Sequence, residues 1–417
     1  MKTNYDLIII GAGPAGIAAA LAASRSGIDT LIVERYGCVG GGMTSMYIRP
    51  FLGSVTNINI GREIEQNVNL YCDRMSHVEA AKYALTKLLY DSTVNVMLQA
   101  SLSSVKVESR KIISIEVTTQ SGNIELTAKQ FIDASGDGVL STMAGCKVEI
   151  GRPEDGLMQP TSIMFTIEGI EPWQELVCQH EEHYQDLGDG REYLDLCHKA
   201  CASGELPSTV NIVRLYKTGH TGERMVNATQ LNKVDPLKPE NLFESEYLLR
   251  EQIHSVVSFL KNNIPGMANI RVNGSSSTLG IRESRRVIGD YVLTAEDLIA
   301  GRKFDDAIVH DACFPLDIHN PDGPGQAVDE EGCPKVAHPY DIPYRCLTPI
   351  GFDNLLVAGR CISGTHEAHS SYRVMRIYMA MGDAAGHAAT LAVKSSNNTR
   401  DIDIKELQKL INIGNNN

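Results

Sequence analysis

The tightest constraint on this chain lies in residues 5–34. Tyr5-Asp6-Leu7-Ile8-Ile9-Ile10 is an apolar run of strand length. It leads directly into Gly11-Ala12-Gly13-Pro14-Ala15-Gly16, a G-x-G-x-x-G pattern. An Ala-rich helical stretch follows from Ile17 to Ser26, then a second apolar run, Thr30 to Val33, that ends on Glu34. Strand, glycine turn, helix, strand and acid within about 30 residues is the order that a dinucleotide-binding βαβ unit requires. In that reading Gly11 permits the tight turn, Gly13 lets backbone approach a pyrophosphate, and Gly16 lets the helix pack close to the sheet. The helix N-terminus offers free N–H groups and the positive end of its dipole to phosphates. Glu34 can accept hydrogen bonds from ribose hydroxyls, which favours an adenosine without a 2′-phosphate.

The bulk numbers narrow the setting. A chain of 417 residues exceeds one simple core and suggests two intertwined domains. The net charge of -13 argues against nucleic acid and anionic membrane partners. No window approaches 18 uninterrupted apolar residues, so no membrane span is expected. The first apolar stretch is broken by the glycine turn and does not read as a signal peptide. Ten cysteines are scattered without a C-x-x-C, which reads as reduced thiols in a cytoplasmic protein. Cys197 and Cys201 with His198 make a poor metal set, and His366, Glu367 and His369 lack the i, i+4 histidine spacing of helical zinc sites. No metal is expected.

Along the chain, Ser76 to Asp91 has helical spacing and Val94 to Leu98 reads as a short strand. Residues 102–129 alternate as several short strands, with a turn at Ser121-Gly122-Asn123. Residues 131–134 form another buried strand that closes on Ser135-Gly136-Asp137-Gly138. From 151 to 335 the texture changes, with more Pro, Gly, His and charge, and this segment reads as a second unit inserted into the first. Strand-like segments return at 342–347 and 355–358. They lead to Gly359-Arg360, a polar loop, and an Ala- and Met-rich helix over about 374–393. Residues 396–417 read as a polar tail that frays at Gly414–Asn417.

Taken together, this order resembles bacterial FAD-dependent oxidoreductases whose core is similar to the glutathione-reductase and p-hydroxybenzoate-hydroxylase flavin fold. The motifs that carry the resemblance are E-R-Y-G-C-V-G-G-G-M-T-S (34–45), D-A-S-G-D-G (133–138), L-G-I-R-E-S-R-R (279–286), P-L-D-I-H-N-P (315–321), I-P-Y-R-C-L-T-P (342–349), N-L-L-V-A-G-R-C-I-S (354–363) and H-E-A-H-S-S-Y-R-V-M (366–375). The resemblance implies an α/β fold: a Rossmann-like FAD-binding domain, with a central parallel sheet and a three-stranded meander, and an inserted α+β substrate domain. Residues 1–150 and 336–395 would form the FAD-binding domain and 151–335 the insertion. The implied cofactor is FAD. Its contacts would come from Gly11, Gly13, Pro14, Ala15 and Gly16, then Glu34 and Arg35, and then Gly40, Gly41, Gly42, Met43 and Thr44. Asp137 would orient a loop at the cofactor. Gly359, Arg360, Arg373, Val374 and Met375 would complete the set, with Arg360 neutralising the pyrophosphate. The helix that begins near Tyr372-Arg373-Val374 would point its dipole at the flavin N1–C2=O locus, where reduction places negative charge.

The reading that follows is hydride transfer between a small organic substrate and flavin N5, as a dehydrogenase or oxidase. A flavin monooxygenase is the alternative enzyme, and a flavin-binding protein without catalysis is the third reading. The catalytic candidates are His366, His319 and Arg373. A histidine near neutral pKa suits proton removal while hydride leaves, and His366 is preferred because the segment after Gly359 is expected to pass the flavin. Arg282 and Arg345 are candidates to clamp a carboxylate or the cofactor phosphates, while Arg282 with Arg285 and Arg286 reads equally as a solvated or salt-bridged face. Cys38 is a candidate thiol near the flavin. Only one G-x-G-x-x-G is present and no redox cysteine pair, which argues against thiol–disulfide exchange. Expected partners are a small-molecule substrate and an unidentified electron acceptor, with homo-oligomerisation left open.

Overall fold

A computed structural model describes residues 2–49, 51–179, 184–326 and 335–412. The N-terminal apolar run is β1 (Asn4–Ile10), the glycine turn feeds α1 (Pro14–Arg25), and the next run is β2 (Thr30–Val33). Two helices follow, α2 (Asn59–Asn69) and α3 (His77–Tyr90); Ser76 caps α3 by accepting the Glu79 N–H. Then come β3 (Asn95–Met97), β4 (Ser101–Glu108), β5 (Lys111–Thr119) and β6 (Gly122–Asp133). β3, β2, β1 and β6 lie side by side and parallel.

β6 departs from the expected pattern. The segments read as a meander strand and a separate buried strand are one twelve-residue strand. Its first part pairs antiparallel with β5 (Leu126 opposite Ile115) and its second part pairs parallel with β1 (Ile132 opposite Ile9). Lys129 and Gln130 look like a polar break in the sequence. Gln130 is nevertheless buried and opposite Leu7, because the strand passes from an exposed ribbon into the central sheet.

After α4 (Val139–Ala144) and β7 (Val148–Ile150), the chain builds a second, antiparallel sheet. Its strands are β8 (Phe165–Glu168), β9 (Arg214–Lys217), β10 (Glu223–Asn227) and β11 (Arg271–Ser275), in the order β11-β8-β10-β9. α5 (Tyr193–Ser203) and α6 (Pro239–Asn263) join one of its faces in a second hydrophobic core that includes Leu215, Val226, Leu249, Val256 and Phe259. Side chains alternate across a strand, so Tyr216 and Asn227 face the other way, towards the first core. The second core draws only on 163–281. Residues 287–316, expected to fall with it, pack into the first core.

The chain then returns through β12 (Arg285–Val287), paired with β7, α7 (Ala295–Ile299), and β13 (Ala307–Ala312), paired with β14 (Tyr340–Pro343). β15 (Leu355–Val357) lies parallel to β6 in the central sheet. The segment expected as a polar loop contains a helix, α8 (His366–Tyr372), capped by Thr365, whose hydroxyl accepts the Ala368 N–H. α9 (Met375–Ser395) follows and packs on α1. The packing is close because Gly382 and Gly386 face α1: a Cβ at Gly382 would lie 2.1 Å from Ala15 O, and one at Gly386 2.3 Å from Ala19 O. The tail is less frayed than its polarity suggests. α10 (Ile404–Ile411) buries Leu407 and Ile411, whereas Gly414–Asn417 lie outside the described residues. Among the described residues, no helix is long and apolar enough to cross a membrane.

Candidate active site

The three glycines of the first turn are small for different reasons. Gly11 has φ +101°, and a Cβ there would sit 2.6 Å from Ala134 O on the neighbouring strand end. A Cβ at Gly16 would sit 1.9 Å from Gly11 O. Both are therefore demanded by packing. Gly13 has φ −77°, which any residue adopts, and a Cβ there would meet no protein atom within 4 Å. It opens onto a cavity of about 430 Å³. Gly41 closes over the turn, since its Cβ would come within 2.9 Å of Gly13 Cα. Glu34 is buried, and its Oε2 accepts the Ala12 N–H at 2.7 Å while Oε1 accepts the Tyr36 N–H at 2.9 Å.

The C-terminal segment supplies the opposing wall. Gly359 (φ +85°) places its α-carbon where a Cβ would lie 3.1 Å from Ala15 Cβ. Neither α1 nor α9 has a side chain capping its N-terminus or an acid in its first turn. Pro14 and Ala15 of one helix, and Val374 and Met375 of the other, line the same cavity. Two helix N-termini with unfilled positive ends thus converge on one space, which suits an elongated, multiply anionic group.

Beside them stands a buried charge cluster. Asp137 Oδ1 accepts from Arg360 at 2.5 Å and from Ser284 at 2.8 Å, and its Oδ2 is 3.3 Å from Arg35. Burial opposes ionisation of Asp137, yet Arg360, Arg35 and Ser284 together hold its carboxyl below the usual carboxylate range. Arg360 also donates to Gly136 O and Ile281 O. Arg360, expected to neutralise the pyrophosphate, is therefore already paired with a carboxylate. It clamps the loop after β6 to the segment before β12, although one side of it still lines the cavity.

The inner end of the cavity gathers Arg282, Asp317, His319 and Arg373, with Tyr216 and Asn227 from the second sheet. Arg373 donates to Asp317 O at 2.7 Å and to Oδ2 at 2.9 Å. His319 Nε2 lies 3.6 Å from Asp317 Oδ2, and the His319 N–H donates to Gln159 Oε1 at 3.2 Å. Burial, reinforced by the facing Arg282, pushes His319 down to about 3, so its imidazole is neutral. Asp317 is held far below the usual carboxylate range: burial opposes this, and His319 and Arg373 outweigh it.

His366, the preferred candidate base, is elsewhere. It does not line the cavity; its Nδ1 is 2.9 Å from Glu283 Oε2. Glu283 also pairs with the buried Arg286 and accepts the Gln159 N–H at 3.0 Å. The physical reason is α8: the chain after Gly359 turns into a helix at His366 and aims that ring into the protein. Arg286 is 2% exposed and no solvated face. His369 is also fully buried, edge-on to Tyr372.

Other expectations divide. Gly11, Gly13, Pro14, Ala15, Glu34, Arg35, Gly41, Gly42, Gly359, Arg360, Arg373, Val374 and Met375 line the cavity. Gly16, Gly40, Met43, Thr44 and Asp137 do not line it; Asp137 instead ties the loop after β6 to Arg360 and Ser284. Thr44 donates to Val39 O and a Cβ at Gly40 would strike Thr44, so this stretch shapes the loop from within. Cys38 lies against Thr44, off the cavity, and Arg345 pairs with Asp306 near the surface. Tyr216, Asn227, Ser162 and Met164 were missed; the alternation of Leu215 with Tyr216 and of Val226 with Asn227 was the available signal. Among the described residues, no group of three His, Cys, Asp or Glu is placed to hold a metal ion.

Comparison with known proteins gives a consistent picture. The family described as FAD dependent oxidoreductase matches residues 6–411. The chain is 29% identical over 154 residues to a tRNA uridine 5-carboxymethylaminomethyl modification enzyme of Streptococcus agalactiae, covering 32% of this chain and 24% of that protein. It is 30% identical over 151 residues to a soluble pyridine nucleotide transhydrogenase of Aliivibrio fischeri, covering 32% and 31%. The matched stretch thus spans about a quarter to a third of these curated relatives. Among solved structures, a geranylgeranyl bacteriochlorophyll reductase-like protein of Thermoplasma acidophilum is similar at a TM-score of 0.51 and 12% identity, over 98% of this chain and 83% of that one. At such identity the likeness shows the fold.

Proposed function

This chain belongs to the FAD dependent oxidoreductase family and is an FAD enzyme, and on that premise we propose that it oxidises a small organic substrate as a dehydrogenase or oxidase. The observation that carries the reading is one continuous cavity. It runs from Glu34 and the α1 N-terminus, past the α9 N-terminus, to His319, Asp317 and Arg373. When bound there, FAD supplies a two-electron acceptor at N5.

The chain's own residues do the rest. The open space at Gly13 and the α1 N-terminus would hold the phosphates, and Glu34 the ribose. The α9 N-terminus, with Arg373 beside it, favours negative charge at the inner end. His319 is neutral and placed to accept a proton from the substrate, with Asp317 at 3.6 Å to stabilise the imidazolium; burial and Arg282, which hold the ring at about 3, oppose that charge, so the step requires them to be offset when the site fills. Tyr216 and Asn227 of the second sheet, with Met164 just before β8, line this cavity and would help to shield it from water.

The test is an anaerobic screen of the yellow holoprotein for flavin bleaching by small organic metabolites, followed by admission of oxygen. Bleaching in the absence of NAD(P)H supports the reading, and fast reoxidation by oxygen identifies an oxidase. A flavin reduced only by NADPH, with oxygen inserted into the organic compound, would replace it with a monooxygenase.

A further inference from the structure

We propose that the substrate is a carboxylate anion and that Arg282 is the residue that holds it, an inference that rests on the oxidoreductase reading above. Four arginines line the cavity: Arg35, Arg282, Arg360 and Arg373. Three of them are matched. Arg35 and Arg360 share Asp137, and Arg373 is paired with Asp317. Among the described residues Arg282 forms no ion pair, and the hydrogen bond that it makes is a single one, Nη1 to Pro160 O at 2.7 Å. Arg282 itself lines the cavity.

A half-buried cation with no ion-pair partner among the described residues is costly. Burial and the nearby Arg373 together push Arg282 down to about 9, which marks the same cost. A carboxylate in the cavity would remove it by a planar, two-point pairing that guanidinium geometry favours. Tyr216, hydrogen-bonded to Asn227, lies near Arg282, and both side chains line the same cavity. Asp317 attracts Arg282 from a distance but forms no ion pair with it, its near contacts being Arg373 and His319. A carboxylate on Arg282 would also set the rest of the substrate near His319, whose own depressed pKa registers the closeness of Arg282.

The experiment titrates the holoprotein with benzoate and butyrate, and with their neutral counterparts benzamide and butyramide. Binding is read by the flavin absorbance change and, independently, by calorimetry. We expect each acid to bind roughly tenfold or more tighter than its amide. Arg282→Met should erase that preference and Arg282→Lys keep part of it, with FAD content unchanged in both. Amides that bind as well as acids, an absent acid response, or a preference that survives in Arg282→Met would overturn the proposal. Loss of FAD or an altered flavin potential in Arg282→Met, with the acid preference intact, would assign Arg282 to the cofactor instead. The two readings fail separately. Acid binding by calorimetry without flavin reduction by any organic compound removes the oxidoreductase reading alone. Flavin reduction by neutral alcohols or amines with no preference for acids removes this one alone.

Discussion

Gly13 offers the cleanest separation of what the fold needs from what the cofactor needs. Its φ of −77° suits any residue, and an added Cβ meets no protein atom within 4 Å. Replacing Gly by Ala at such a site stabilises by about 0.4–1 kcal/mol through the unfolded chain. Gly13 is also the N-cap of α1, where Ala is poorer than Gly by roughly the same amount. The two effects offset, so Gly13→Ala apoprotein should unfold within about 0.5 kcal/mol of wild type. FAD binding should not be spared. If a pyrophosphate lies against this backbone, the new methyl overlaps it, and overpacking of this kind costs about 1–3 kcal/mol, or roughly 5- to 150-fold in affinity. Gly16→Ala is the contrast: its Cβ would sit 1.9 Å from Gly11 O, so that variant should lose stability before ligand is considered. The assay is denaturant unfolding of the stripped proteins, with FAD titration by flavin fluorescence. A stable Gly13→Ala protein that binds FAD as tightly as wild type would refute the placement of the phosphates at this turn.

Three further outcomes follow from the geometry. Glu34→Ala should weaken FAD by roughly 1.5–3 kcal/mol and also lower the melting temperature, because Glu34 holds the Ala12 and Tyr36 N–H groups; an unchanged dissociation constant would put the ribose elsewhere. His319→Asn should slow substrate reduction of the flavin by roughly 10²–10⁴-fold, whereas His366→Ala should spare the rate and cost about 1.5–3 kcal/mol of stability through the hydrogen bond lost to Glu283. The reverse pattern would restore His366 as the base. Acid should destabilise the protein well above the carboxylate range. Burial holds His77 at about 4 and His319 at about 3, against 6.5 in the unfolded chain. The unfolded chain therefore binds protons first, so stability is full above about pH 6.5 and falls as pH drops towards 4 and 3, by on the order of 3 kcal/mol for each group. Unfolding free energies that stay flat between pH 6.5 and 4 would contradict those environments.

The parts of this molecule that were legible in its sequence are those governed by short-range backbone constraints. The βαβ unit and its glycine spacing act within about 30 residues, and the structure places both strands, the helix and Glu34 as that spacing requires. The continuity of β6 was hidden because Lys129 and Gln130 are polar: Lys129 stays exposed, and the burial of Gln130 depends on β1, over a hundred residues earlier. The places of the two histidines, His319 on the cavity and His366 off it, were hidden for the same kind of reason. His366 meets Glu283 across 83 positions, and His319 is tied to Gln159 across 160. No local pattern encodes either partner.

Charge pairing is the sharpest case of this limit. Arg35, Arg282, Arg360 and Arg373 are equivalent cations in the sequence, and a reading from motifs alone gives Arg360 to the cofactor and leaves Arg282 undecided. Pairing reverses their weights. Asp137 takes up Arg35 and Arg360, and Asp317 takes up Arg373. A charge that the fold leaves unmatched in such a site stays costly until a ligand pairs with it, whereas a matched pair is already partly compensated. On that criterion Arg282, which belongs to no ion pair among the described residues, is the group through which this cavity would tell an anionic substrate from a neutral one.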